Sequence, residues 1–183
     1  MHFEAKPYFT YTFGSMGKTL ATARETGFYR WFHMQETECQ LQAPGNLIRV
    51  RPSGEKFGNL CFLDLLLSPT EEFVRMELVV KRSFVDGVDS LFAQDLVNSF
   101  LHAALPDACR NVLEDFIHEM NTPAGAGQTP GFEVFKGRKD RWATTTGWSQ
   151  LQLANIIVED ALSLVVNLGP NPAAPNAKPV VCN

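Results

Sequence analysis

Asp115 and His118 stand three apart on a stretch of helical period, so both side chains fall on one face, where they could ligate a single metal. Glu114 sits one turn before His118. A catalytic metal needs a third ligand, and no second motif supplies one. No metal site is expected, and these residues read as a solvated helix face. His102, beside Asp95 and Asn98, reads the same way. Cys109 lies on the apolar stripe of the helix that carries His118, more than two turns away, which argues against a Cys–His nucleophile pair. The other cysteines are Cys39, Cys61 and Cys182, and no two of the four form a close CxxC pair. Cys61 and Cys109 read as buried free thiols of a reducing compartment. Nothing supports a disulfide between Cys39 and Cys182.

Gly14-Ser15-Met16-Gly17-Lys18-Thr19 follows a strand-like stretch and opens a helix-like one, the setting of a phosphate-binding loop. It resembles the Walker A motif, GxxxxGK[ST], in part. The first glycine of that motif would fall at Thr12, and counted from Gly14 the loop is two residues short. A shorter loop cannot wrap its N–H groups around a β-phosphate in the same way. Leu60-Cys61-Phe62-Leu63-Asp64 imitates a Walker B strand, but the antiparallel meander around it contradicts the parallel sheet of that fold. No nucleotide cofactor is expected. Lys136, Arg138, Lys139 and Arg141 gather near Trp142 and Trp148, a mixture that can hold single-stranded nucleic acid. A formal net charge of −4 favours a charged hairpin tip instead, with no nucleic-acid partner. Asp64 interrupts a strand that is otherwise apolar on both faces. If buried it needs a cation, which Arg49 or Arg75 on adjacent strands can provide.

The chain that must position these groups has 183 residues, 45% of them hydrophobic and 20% charged. That composition excludes a disordered chain and suits one domain, taken as 1–168, followed by a proline-rich extended tail at 169–183. No apolar run approaches the ~20 residues of a membrane span, and the first residues lack the layout of a signal peptide. The expected location is the cytoplasm, with no membrane partner.

Phe9, Tyr11 and Phe13 alternate with polar residues as in a strand. Leu20, Ala23, Gly27, Phe28, Trp31 and Phe32 recur at helical spacing between Lys18 and about Gln35, with Gly27 as the weak point. Leu47–Arg51, Asn59–Ser68 and Phe73–Phe84 read as three strands joined by short turns, hence an antiparallel meander. Two helices follow: one after an N-cap at Asp89 or Ser90, with Leu91, Phe92, Leu96, Val97, Phe100 and Leu101 on its apolar face, and one from Pro106 to Met120. The Gly/Pro loop 121–130 is suited to a lid or hinge. Phe132–Phe135 reads as a short strand, Lys136–Asp140 as a charged turn and Trp142–Gly147 as a strand. Trp148–Val158 fits either helix or strand, and Leu162–Leu168 reads as a strand.

These elements predict an α+β fold, a central three-strand meander plus C-terminal strands in one antiparallel sheet, with helices packed mainly on one face. In element order alone the layout is similar to bacterial secretion-chaperone and YbjN-like domains, an analogy of fold that no residue motif carries. The first functional expectation is a non-enzymatic protein-binding module of chaperone, adaptor or immunity type. It rests on the lack of any acid–base pair, nucleophile, metal set or intact phosphate loop. The second is a small-molecule-binding protein or enzyme with a pocket under the 121–130 loop. Trp31, Glu119, Trp142 and Trp148 are the candidate partner or ligand surface. The aromatic content, with 14 phenylalanines and three tryptophans, predicts a homodimer that covers leftover aromatic surface.

Overall fold

The structure is a computed structural model that describes residues 19–104, 130–146 and 149–170. The expected strand at 9–13, the glycine loop up to 18, the helix from 106 to 120, the loop to 129 and the tail beyond 170 lie outside the described residues.

The helix expected between Lys18 and Gln35 is two shorter ones. Thr19 caps α1 (Leu20–Arg24) in a reciprocal capping box with Thr22. Thr26 precedes α2 (Gly27–Trp31). The break falls at Glu25 and Thr26, just before the glycine, where an added Cβ would stand 3.2 Å from the Trp31 indole ring. His33, at φ 49°, turns the chain into β1 (Met34–Gln42). That strand was not foreseen. Seven residues of it are exposed and only Met34 is buried, so no alternation marks it.

The meander forms as expected. It comprises β2 (Gly45–Pro52), β3 (Cys61–Leu67) and β4 (Phe73–Lys81), all antiparallel. Every residue of β3 is buried, as its two-sided apolar sequence requires. Two boundaries differ. A short helix, α3 (Glu55–Gly58), fills the turn after β2. The third strand stops at Lys81 because α4 (Arg82–Val85) turns Phe84 and Val85 into the core.

Helix α5 (Ser90–Ala104) buries Leu96, Val97, Phe100 and Leu101. Leu91 departs from its expected place on the apolar face: it lies in the first turn and is 76% exposed. Where a strand was expected at 132–135, the chain forms α6 (Pro130–Phe135). A four-residue apolar run fits either period, and the deciding signal is Gly137. At φ 74° it ends the helix, its N–H donating to the Val134 carbonyl and the Arg138 N–H to that of Glu133. Three strands complete the described chain: β5 (Arg141–Thr146), β6 (Ser149–Val158) and β7 (Ala161–Pro170). The ambiguous stretch 148–158 is therefore extended, and the last strand takes in the first two residues assigned to the tail.

All seven strands join one antiparallel sheet in the order β1-β2-β3-β4-β7-β6-β5. The fold is α+β. The main core cluster joins Val50, Leu63, Leu65, Met76, Leu78, Leu164 and Val166 of the sheet to Phe28, Phe84, Leu96, Phe100 and Leu101 of the helices. Phe62, Val79 and Val165 alternate with those strand residues and form a second, smaller cluster with Ile156 and Val158. Among the described residues no helix is long and apolar enough to cross a membrane.

Candidate ligand groove on the sheet

Period-two alternation in seven antiparallel strands sets one residue from each into a single row. Successive register partners are Glu38, Arg49, Asp64, Glu77, Asn167, Gln152 and Ala143. The row shares its sheet face with Phe62, Val79 and Val165, and all but one of its side chains are polar.

One end of the row is locked. Arg49 donates from Nε to Asp64 Oδ1 at 2.8 Å and from Nη2 to Oδ2 at 2.9 Å. Its Nη1 donates to Glu159 at the β6–β7 turn. The guanidinium also lies 3.7 Å from the centre of the Phe62 ring. The hydrogen bond to Asp64 is the largest effect in holding Arg49 protonated, well above the ordinary arginine range. Of the two partners expected for Asp64, the structure selects Arg49. Both Asp64 oxygens are then engaged, which leaves that carboxylate unfit to act as a base or nucleophile.

The middle of the row holds acceptors that lack donors. Glu77 is half-buried and makes no hydrogen bond or ion pair among the described residues. Burial pushes its carboxyl above the usual range; Arg75 opposes this, Asp64 adds to it and Arg49 opposes it. Directly opposite on β7, Asn167 donates from Nδ2 to Gln152 Oε1 at 3.4 Å, while its Oδ1 is buried without a donor. Glu77, Asn167 and Gln152 line a groove of about 430 Å³ whose other walls include Val165, Ile156 and Arg141. That volume is within the range of ligand sites. The groove combines an apolar floor with acceptors that lack donors. Among the described residues no cluster of three or more His, Cys, Asp or Glu could hold a metal.

The protein is compared with known families, curated proteins and solved structures, and none of them matches.

The residues singled out in the sequence are not brought together. Trp31 lies on α2 and is largely exposed. Trp142 packs partly buried against the main core, its register partner Leu153 being fully buried there, and it also lines the groove beside Glu77, Gln152 and Asn167. Glu119, Trp148 and residues 121–129 of the expected loop lie outside the described residues, as do His118 and Cys109, while Pro130 begins α6. His102 is exposed on α5. Cys39 is exposed and free. Cys61 is buried, and burial pushes its thiol up to about 12, with Arg51 opposing. It is therefore no nucleophile near neutrality. Glu77, Asn167 and Gln152 were missed. Their types are ordinary on the wetter side of a strand, and only the β4–β7 and β6–β7 registers make them neighbours.

Proposed function

We propose that the protein is a non-enzymatic protein-binding module that docks its partner on the sheet face carrying Glu77, Asn167 and Gln152. In this reading the helices cover mainly the opposite face, through Phe28, Phe84, Leu96 and Phe100, and leave this one to the partner. The supporting observation is the unpaired pair at its centre: a half-buried carboxylate and a buried amide oxygen with no donor, side by side in a groove. Such groups cost free energy in a lone chain, and a partner that supplies donors removes that cost. Working in the cytoplasm is consistent with the free thiols of Cys39 and Cys61.

The test places a photo-crosslinking amino acid at Gln152 or, as a control, at exposed Leu91, in the native host. A defined protein adduct from position 152 and not from position 91 is expected. The same adducts from both positions, or a bound small molecule in place of any protein, would replace this reading.

A second contact, between two copies of this chain, draws support from Trp31. Its ring lies over Gly27 and is 76% exposed, a large apolar surface for a single side chain. Light scattering is expected to return a dimer mass. A mass near 20.4 kDa at every concentration would refute it.

A further inference from the structure

We infer that the groove receives the guanidinium of an arginine carried by the partner protein, with the Glu77 carboxylate as its main acceptor. The inference rests on the protein-binding reading above and names the chemistry of the same site.

The row itself supplies the pattern. One strand away, Asp64 is met by both forks of Arg49, whose guanidinium also rests on the Phe62 ring. Glu77 is the next residue of the row and has no such fork. Its neighbour Asn167 adds an acceptor without a donor. A planar guanidinium can donate to a carboxylate through two parallel N–H groups and still reach a third oxygen. The methylene stem of an arginine suits the apolar walls at Val165, Ala154 and Ile156.

The chain's own cations leave the position open. Arg49 is committed to Asp64 and Glu159. Arg75, two residues before Glu77 on β4, runs its stem over Gly169, its Cγ 3.4 Å from where a Cβ would stand, and makes no hydrogen bond to Glu77. Arg141 is exposed on β5, three strand spacings away, or about 14 Å of sheet. The charged groups that share the face with Glu77 are Glu38, Arg49, Arg51, Asp64, Arg75, Lys81 and Arg141, with Glu159 at the β6–β7 turn, and β6 and β7 contribute only amides to the row.

The probe is the tripeptide acetyl-Gly-Arg-Gly-amide, titrated into the whole ¹⁵N-labelled chain and followed by amide shifts. Versions with citrulline or glutamate in place of arginine are compared with it. The arginine peptide is expected to shift amides of β4, β6 and β7, and citrulline to bind about tenfold more weakly for want of charge. Glu77→Gln should abolish the difference between the two. Arg75→Gln should tighten arginine binding by removing a neighbouring cation. Binding should strengthen as pH rises and Glu77 ionises. Equal binding of the three peptides, or arginine binding unchanged by Glu77→Gln, overturns the inference. A protein adduct from position 152 with no arginine-specific shift overturns it while leaving the protein-binding reading in place. Arginine-specific shifts without any adduct keep the guanidinium site at Glu77 but overturn a partner protein as its source, and the protein-binding reading with it.

Discussion

Arg49 and Asp64 face each other across the β2–β3 ladder and share two hydrogen bonds, at 2.8 and 2.9 Å. Asp64 is 8% exposed, so losing its partner would leave a carboxylate stranded in the sheet. Arg49→Met should cost about 3 kcal/mol, the low end for breaking a buried pair, because the arginine keeps one edge in water. The double variant Arg49→Met with Asp64→Leu should recover most of that loss, since two apolar groups need no pairing. Urea denaturation of the single and double variants measures both. A single variant within ~0.5 kcal/mol of the parent would mean that the pair is screened like a surface one.

Glu77 makes stability depend on pH in the opposite sense to a paired carboxylate. Burial raises its folded-state value, with Arg75 opposing, Asp64 adding and Arg49 opposing. The folded chain therefore holds the proton more tightly than the unfolded one. This contribution is complete below the unfolded value, about 4.3, and is lost as pH rises through the folded value. Glu77→Gln removes the ionisation. The variant should match the parent near pH 4 and melt at a higher temperature at pH 7. Thermal melts across that range are the check, and a parent more stable than the variant at pH 7 would contradict the assignment.

Arg82 is a buried guanidinium with a structural task. It is 6% exposed, ion-pairs with Asp86, and donates to the Phe135 carbonyl at 2.7 Å. It thereby ties the end of β4 to the end of α6. Gly137 packs against it, so a Cβ there would meet Arg82 Nη2 at 3.2 Å. Gly137→Ala should cost about 1–2 kcal/mol for the left-handed backbone alone, and more for the crowding. Chemical denaturation measures the loss, and Gly137→Ala within ~0.5 kcal/mol of the parent would mean that neither the left-handed backbone nor the Arg82 contact constrains this position.

Within α5, Phe100 is fully buried and Leu91 is 76% exposed. Phe100→Ala should cost about 3–5 kcal/mol through transfer and cavity terms. Leu91→Ala should stay within about 0.5 kcal/mol. Equilibrium unfolding of the two variants is sufficient, and a reversed order would mean that the helix is rotated from the phase described.

The sequence made some of this legible and hid the rest for physical reasons. The meander could be read because Val50, Leu63 and Leu78 need a dry face, and that need imposes a period of two or a continuous apolar run. The partner of Asp64 could be narrowed to two arginines because a buried carboxylate needs a cation. Edge strand β1 could not be read, since both its faces meet water and no pattern is enforced on Gln35–Leu41. The stretch at Phe132–Phe135 was misassigned because a short apolar run has no period of its own. The groove stayed hidden for a different reason. Glu77 and Asn167 are far apart in the chain, and nothing near either residue encodes their meeting.

The joint between β4 and β7 also sets the order in which the molecule can assemble. The strands before it, and those after it, each pair with neighbours in sequence, so they can form early from nearby contacts. The joint from Met76–Leu168 to Lys81–Ser163 must instead close a loop of roughly eighty residues, at a chain-entropy cost of about 4 kcal/mol. Until it closes, Leu78, Val79 and Val80 on one side and Leu164, Val165 and Val166 on the other form two bare, apolar strand edges. Each edge is complementary to the other, whether that other belongs to the same molecule or to a neighbour. Refolding at high concentration is thus a competition between closing one chain and exchanging halves between two, and dilution favours the closed chain.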